Sequence, residues 1–136
     1  MPLSSFSLNY GNVGFVLHSV VEVPACLNFF LFPSDQLGRE SPHAHAVVRQ
    51  YAVLLFSSVL VAVAFVGRPV DDLSGRVAAA LALYHIAPSV RSLARLTRQA
   101  QLRQPLVLSE AFLYLIVHAL CGAALLHHFI TAIYNS

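Results

Sequence analysis

The sequence predicts an all-α protein, a four-helix transmembrane bundle, and three observations carry that prediction. Only fourteen of the 136 residues are charged, eight arginines and six carboxylates, with no lysine. The apolar share is 57% and the charged share 10%, where an average soluble domain has about 45–50% and about 25%. So few charges cannot cover the surface that a domain of this length exposes, and the fitting solvent is a bilayer. The apolar residues also fall in four long runs, none alternating apolar with polar as the strands of a membrane barrel do. The same composition excludes a disordered chain, a basic nucleic-acid module and a disulfide scaffold. A net charge of +2 says nothing about partners.

The spans fall at about 13–32, 47–66, 77–96 and 106–133, within a single integral membrane domain, 1–136. A helix of ~20 residues covers ~30 Å of hydrocarbon, so the first and fourth runs suffice alone. The second, Tyr51 to Val66, reaches back to Val47 if Arg49 snorkels. The third, Val77 to Val90, gains Leu93 and Leu96 in the same way. Pro33-Ser-Asp-Gln ends the first span and Gly67-Arg-Pro69 the second; Ser41-Pro42 reads as a helix start, and Gln99 to Pro105 as a polar turn. Residues 1–12 lack a basic segment, and the first run holds a carboxylate, so it reads as a retained span rather than a signal peptide. The second loop holds Arg68 and Arg76. The first and third hold Arg39, Arg49, Arg91, Arg95, Arg98 and Arg103, which places those two loops in the cytosol and both termini luminal or outside.

The ionisable groups inside the spans carry the functional reading. A carboxylate at mid-bilayer costs ~2.5–3.5 kcal/mol on insertion scales. Span one has His18 and Glu22 at i and i+4, about 40° apart on one helix face, followed by Asn28. Span four lines up Glu110, Tyr114, His118 and Cys121. Span three adds Tyr84, His85, Ser89 and Ser92, and span two opens with Arg49, Gln50 and Tyr51 before Ser57 and Ser58. Converging faces would form a polar pocket in an apolar bundle, suited to a lipophilic substrate with one reactive oxygen. A buried carboxylate beside an imidazole is an acid–base couple. The same residues have a plainer use as interhelical hydrogen bonds, worth ~0.6 kcal/mol each on average. That use leads for His85, and Glu110 also reads as an ordinary carboxylate at a helix N-terminus.

Other features are weaker. His43-Ala-His45 has metal-site spacing but reads as a solvated loop pair, and His127-His128 reads as a headgroup pair. Arg91, Arg95 and Arg98 form one basic stripe at i, i+4, i+7 that anchors the span on anionic lipid or, with Arg103, docks partner enzymes. Pro24 and Pro88 kink their helices. Gly122 and the two alanines after it suit close packing. Cys26 and Cys121 read as small core residues, their pairing left open. There is no G-x-S-x-G, no phosphate loop and no H-E-x-x-H; Ala25 and Leu113 stand where an E-x-x-H pair needs histidine. No cofactor and no metal is expected.

Arg49-Gln-Tyr-Ala-Val-Leu-Leu-Phe-Ser-Ser58 and Ala82-Leu-Tyr-His-Ile-Ala-Pro-Ser-Val-Arg91, with His18, Glu22 and Asn28, resemble small four-span fungal membrane proteins encoded beside polyketide synthases. That resemblance implies an enzyme of secondary-metabolite biosynthesis, an epoxide hydrolase or cyclase acting on an oxidised polyketide. The arginine-x-aromatic start of span two and the Ala-Leu-aromatic-His of span three are similar, more weakly, to the four-span scaffold proteins of sterol biosynthesis. That second similarity implies a non-catalytic tether at the endoplasmic reticulum. On the first reading Glu22, oriented by His18, is the general base; Glu110 or His118, with Tyr114, protonates the leaving oxygen; an inward Arg49 stabilises negative charge. The partners are a lipophilic small molecule and the bilayer. On the second, the Arg91–Arg103 region holds other biosynthetic enzymes.

Overall fold

The computed structural model describes residues 12–37 and 41–135; Arg39 and residues 1–11, used above for topology and for the retained first span, lie outside them. The fold is all-α, with no strand among the described residues. The helices are α1 (Val13–Leu31), α2 (Ser34–Leu37), α3 (Pro42–Phe65), α4 (Asp72–Gln101) and α5 (Glu110–Tyr134). All but α2 are long and apolar enough to cross a membrane, and the chain is an integral multi-pass membrane protein.

Helix ends depart from the apolar runs where local chemistry overrides hydropathy. Helix α3 begins at Pro42, with proline in its first turn, where a missing N–H costs nothing. His43 and His45 therefore sit on helix, not in a loop. It stops before Gly67, whose φ of 85° suits only a residue without Cβ. Helix α4 starts with a reciprocal capping box, in which the Asp71 carboxylate accepts from the Ser74 N–H and the Ser74 hydroxyl accepts from the Asp71 N–H. Arginine is a good helix former, so α4 continues through Arg91, Arg95 and Arg98 to 30 residues, about 45 Å. Helix α5 starts at Glu110, four positions later than the apolar run. Ser109 caps it by accepting from the Phe112 N–H, and Leu106–Leu108 stay outside it, Leu108 with φ 62°. Pro24 and Pro88 both lie inside helices.

Two compact units divide the chain, one of residues 15–66 and one of residues 12–14 with 67–135. Each is a helical hairpin. In the first, α1 and α3 run antiparallel: Phe15 meets Phe65, Cys26 Sγ donates to the Ala52 carbonyl at 3.0 Å, and Phe29 meets Tyr51. In the second, α4 and α5 run antiparallel through small residues, which let membrane helices approach closely. A Cβ on Gly75 would stand 2.6 Å from the Ala132 Cβ, and one on Gly122 would stand 3.4 Å from the His85 Cβ. Gly14 is packed as tightly, since its Cβ would lie 2.8 Å from the Leu125 nitrogen. Cys26 and Cys121 are both buried.

Candidate functional site

In the α1–α3 hairpin the i, i+4 spacing puts His18 and Glu22 on one face of α1. His18 is fully buried and Glu22 is 1% exposed. His18 Nε2 lies 3.1 Å from Ser58 Oγ, and the Ser58 hydroxyl donates to the Leu55 carbonyl at 2.7 Å. A serine has a single proton to give, so in this bond the imidazole N–H donates. This assigns the proton to Nε2 and leaves Nδ1 as the basic nitrogen of the neutral ring. Asn28 is exposed and accepts from Gln36 Nε2 at 3.4 Å. Arg49 is also exposed. Its Nε donates to the Phe30 carbonyl at 3.2 Å, which satisfies one of the last acceptors of α1.

In the α4–α5 hairpin, His85 and His118 are 1% and 9% exposed, and their Nδ1 atoms stand 3.0 Å apart. Two such nitrogens at hydrogen-bond distance hold one proton between them, so the neutral rings are opposite tautomers. One presents an accepting Nε2 and the other an Nε2–H donor. The Tyr84 and His85 rings meet at 77°, and Tyr114 stacks on His118 with centroids 6.4 Å apart. An open groove of about 480 Å³ runs beside the pair, lined by Ala82, Leu83, Ile86, Gly122, Ala123 and Leu126, with His85, His118 and Ser89 as its polar members.

The sequence reading of span four divides here. His118 and Tyr114 adjoin; Glu110 lies eight residues away, ~12 Å along the axis, at the helix N-terminus. Its Oε2 is 3.3 Å from the Arg95 guanidinium, and its side chain is 66% exposed. His85, read chiefly as a hydrogen-bonding residue, is the partner of His118; the signal for that pairing was the shared mid-span position of both histidines. His128, read as a headgroup residue, is fully buried, with Nε2 2.9 Å from Ser74 Oγ; His127 is exposed. Beside that contact, the backbone N–H of Ser74 is the main cause that holds the Asp71 carboxyl below its ordinary range, opposed by desolvation and helped to a smaller extent by the Ser74 hydroxyl and the Arg68 guanidinium. No protein-family model, no curated protein and no solved structure matches the chain.

Proposed function

We propose that the protein is a membrane-embedded enzyme of secondary-metabolite biosynthesis that opens an epoxide of a lipophilic substrate, an oxidised polyketide or similar, by acid/base chemistry. One observation carries the reading: a buried imidazole pair, its Nδ1 atoms 3.0 Å apart, on the wall of an apolar groove. A groove of this size falls within the range of small-molecule sites, which are mostly apolar with a few placed polar groups. The accepting Nε2 takes the proton of the attacking O–H, from water or an internal hydroxyl. The shared proton crosses from one Nδ1 to the other. The second Nε2–H protonates the epoxide oxygen as its C–O bond breaks and the new C–O bond forms. One proton enters the pair and one leaves. Tyr114 and Tyr84 orient the rings. Glu22 and His18 are the second acid–base group of the proposal, with His18 Nδ1 as its basic nitrogen. Glu110 and Arg49 have partners at helix ends, and the mechanism does not use them.

The arginine distribution supports luminal termini, and the endoplasmic reticulum is the membrane that suits such a substrate. The test is turnover of a panel of long-chain and polyene epoxides by the protein in lipid nanodiscs, with diol or cyclic ether separated by chromatography. General acid–base groups contribute ~10²–10⁴-fold, so His118→Leu and His85→Leu should each remove at least that lower factor while the protein stays folded and inserted. Normal product from both variants sinks the catalytic reading. Loss confined to Arg95 and Arg98 substitutions in cells would point to the alternative, a non-catalytic scaffold for other biosynthetic enzymes.

A further inference from the structure

Helix α4 is about 45 Å long, whereas the hydrocarbon layer is ~30 Å. Its uncharged stretch ends at Val90, so its C-terminal turns and the connection to α5 emerge from the apolar layer. Arg91, Arg95 and Arg98 are exposed there along one face, and exposed Arg103 follows in the connection. Over residues 91–110 four arginines stand against one carboxylate, Glu110, which engages Arg95. Among the described residues no ion pair involves Arg91, Arg98 or Arg103.

The same connection exposes Leu102, Leu106, Val107 and Leu108, the last two at 73% and 77%. Exposed apolar side chains on a spanning helix meet lipid tails, but this segment is not helical, and irregular backbone cannot sit in hydrocarbon without partners. Apolar side chains on a backbone that needs polar neighbours fit the boundary between headgroups and acyl chains. The arginine face rises ~10 Å from Arg91 to Arg98, enough to cross the headgroup layer beside it. Basic and apolar groups presented together at that depth are the pattern by which interfacial segments bind anionic bilayers.

We propose that the α4–α5 connection is an anionic-lipid site. Leu106, Val107 and Leu108 dip into the acyl boundary, and Arg91, Arg98 and Arg103 hold phospholipid headgroups, with Glu110 limiting the charge by occupying Arg95. This rests on the membrane reading of the chain and not on the proposed chemistry, and its readout is lipid association rather than product.

The chain has no tryptophan, so Val107→Trp gives a single reporter. In vesicles of phosphatidylcholine with phosphatidylserine, its fluorescence should be quenched most by lipids brominated near the headgroup end of the chain. Spin-labelled phosphatidylserine should associate with the protein several-fold more than spin-labelled phosphatidylcholine. Replacing Arg91, Arg98 and Arg103 together by glutamine should abolish that preference, each single replacement should lower it, and the triple lysine variant should keep it. Glu110→Gln should raise it, and inorganic phosphate should not compete. An indole that stays unquenched and water-exposed in vesicles of the Val107→Trp variant overturns the proposal. So does equal association of the two lipids, which would leave the arginines to a protein partner, and so does displacement by inorganic phosphate, which would make the site one for a soluble anion.

Discussion

In the α1–α3 hairpin the buried histidine is held by a hydroxyl, and in the α4–α5 hairpin it is held by a second histidine. Ser58 has given its only proton to Leu55, so the His18 bond has one direction and one tautomer. In the His85–His118 bond both partners are ring nitrogens, so donor and acceptor depend on the tautomer. The packing around them differs as well. Polar side chains of the first hairpin reach backbone carbonyls, as Cys26 and Arg49 do. The second hairpin closes on glycine and alanine. One contact has a fixed donor, and the other joins two like groups between which a proton can pass.

Breaking the pair should have the largest effect. His118→Leu should abolish product at least ~10²-fold and cost about 1–3 kcal/mol by leaving a buried nitrogen without its bond, read by denaturation in detergent. The double variant His85→Leu with His118→Leu should recover most of that stability and none of the product, since replacing both partners with apolar groups is nearly neutral. A double variant as unstable as the single would mean that the pair is no unit. Gly75→Ala comes next. Its methyl would stand 2.6 Å from that of Ala132, so the helices must part, at about 1–3 kcal/mol, seen as a lower melting temperature than for an alanine placed at Gly122. Ser58→Ala should cost about 1 kcal/mol, and nitrogen chemical shifts should then show His18 leaving its single tautomer. In the unaltered protein His18 should read as Nε2–H, and His85 and His118 as an exchanging average. The smallest effect concerns Asp71. Its carboxyl is held below the ordinary value by Ser74 and Arg68, so its contribution is full above about pH 4 and fades as pH falls through the folded value. Asp71→Asn keeps an oxygen for the Ser74 N–H, so the wild-type advantage over it should shrink in melts run from neutral to acid pH.

The spans were legible because hydropathy and length decide them. The common face of Glu22 and His18 followed from i, i+4 spacing, and the depth of His118 from its mid-span position. The start of α5 was not legible, because Leu106 to Leu108 extend the apolar run while the Ser109 cap decides where the helix begins. Glu110 takes the second of its two readings, a carboxylate at a helix N-terminus. The end of α4 was hidden for the opposite reason, since arginine stops a hydropathy run without stopping a helix. The pairing of His85 with His118 depends on the register of two antiparallel helices, which neither segment encodes alone. Arg49 was placed at the right end of its span, but its partner, the Phe30 carbonyl, is a backbone group that no residue pattern announces.

In the proposed epoxide-opening reaction the imidazole couple would have a memory. When a proton enters one ring and another leaves the second, both tautomers are exchanged, so the ring that was the base is now the acid. Under the proposed mechanism each turnover would leave the site as the mirror of its starting state, with no net charge entering the membrane. A second molecule bound in the same orientation finds the roles reversed. The couple must first be returned by proton exchange with water or with departing product, which makes that return an obligatory step of the cycle and a place where the rate can be set.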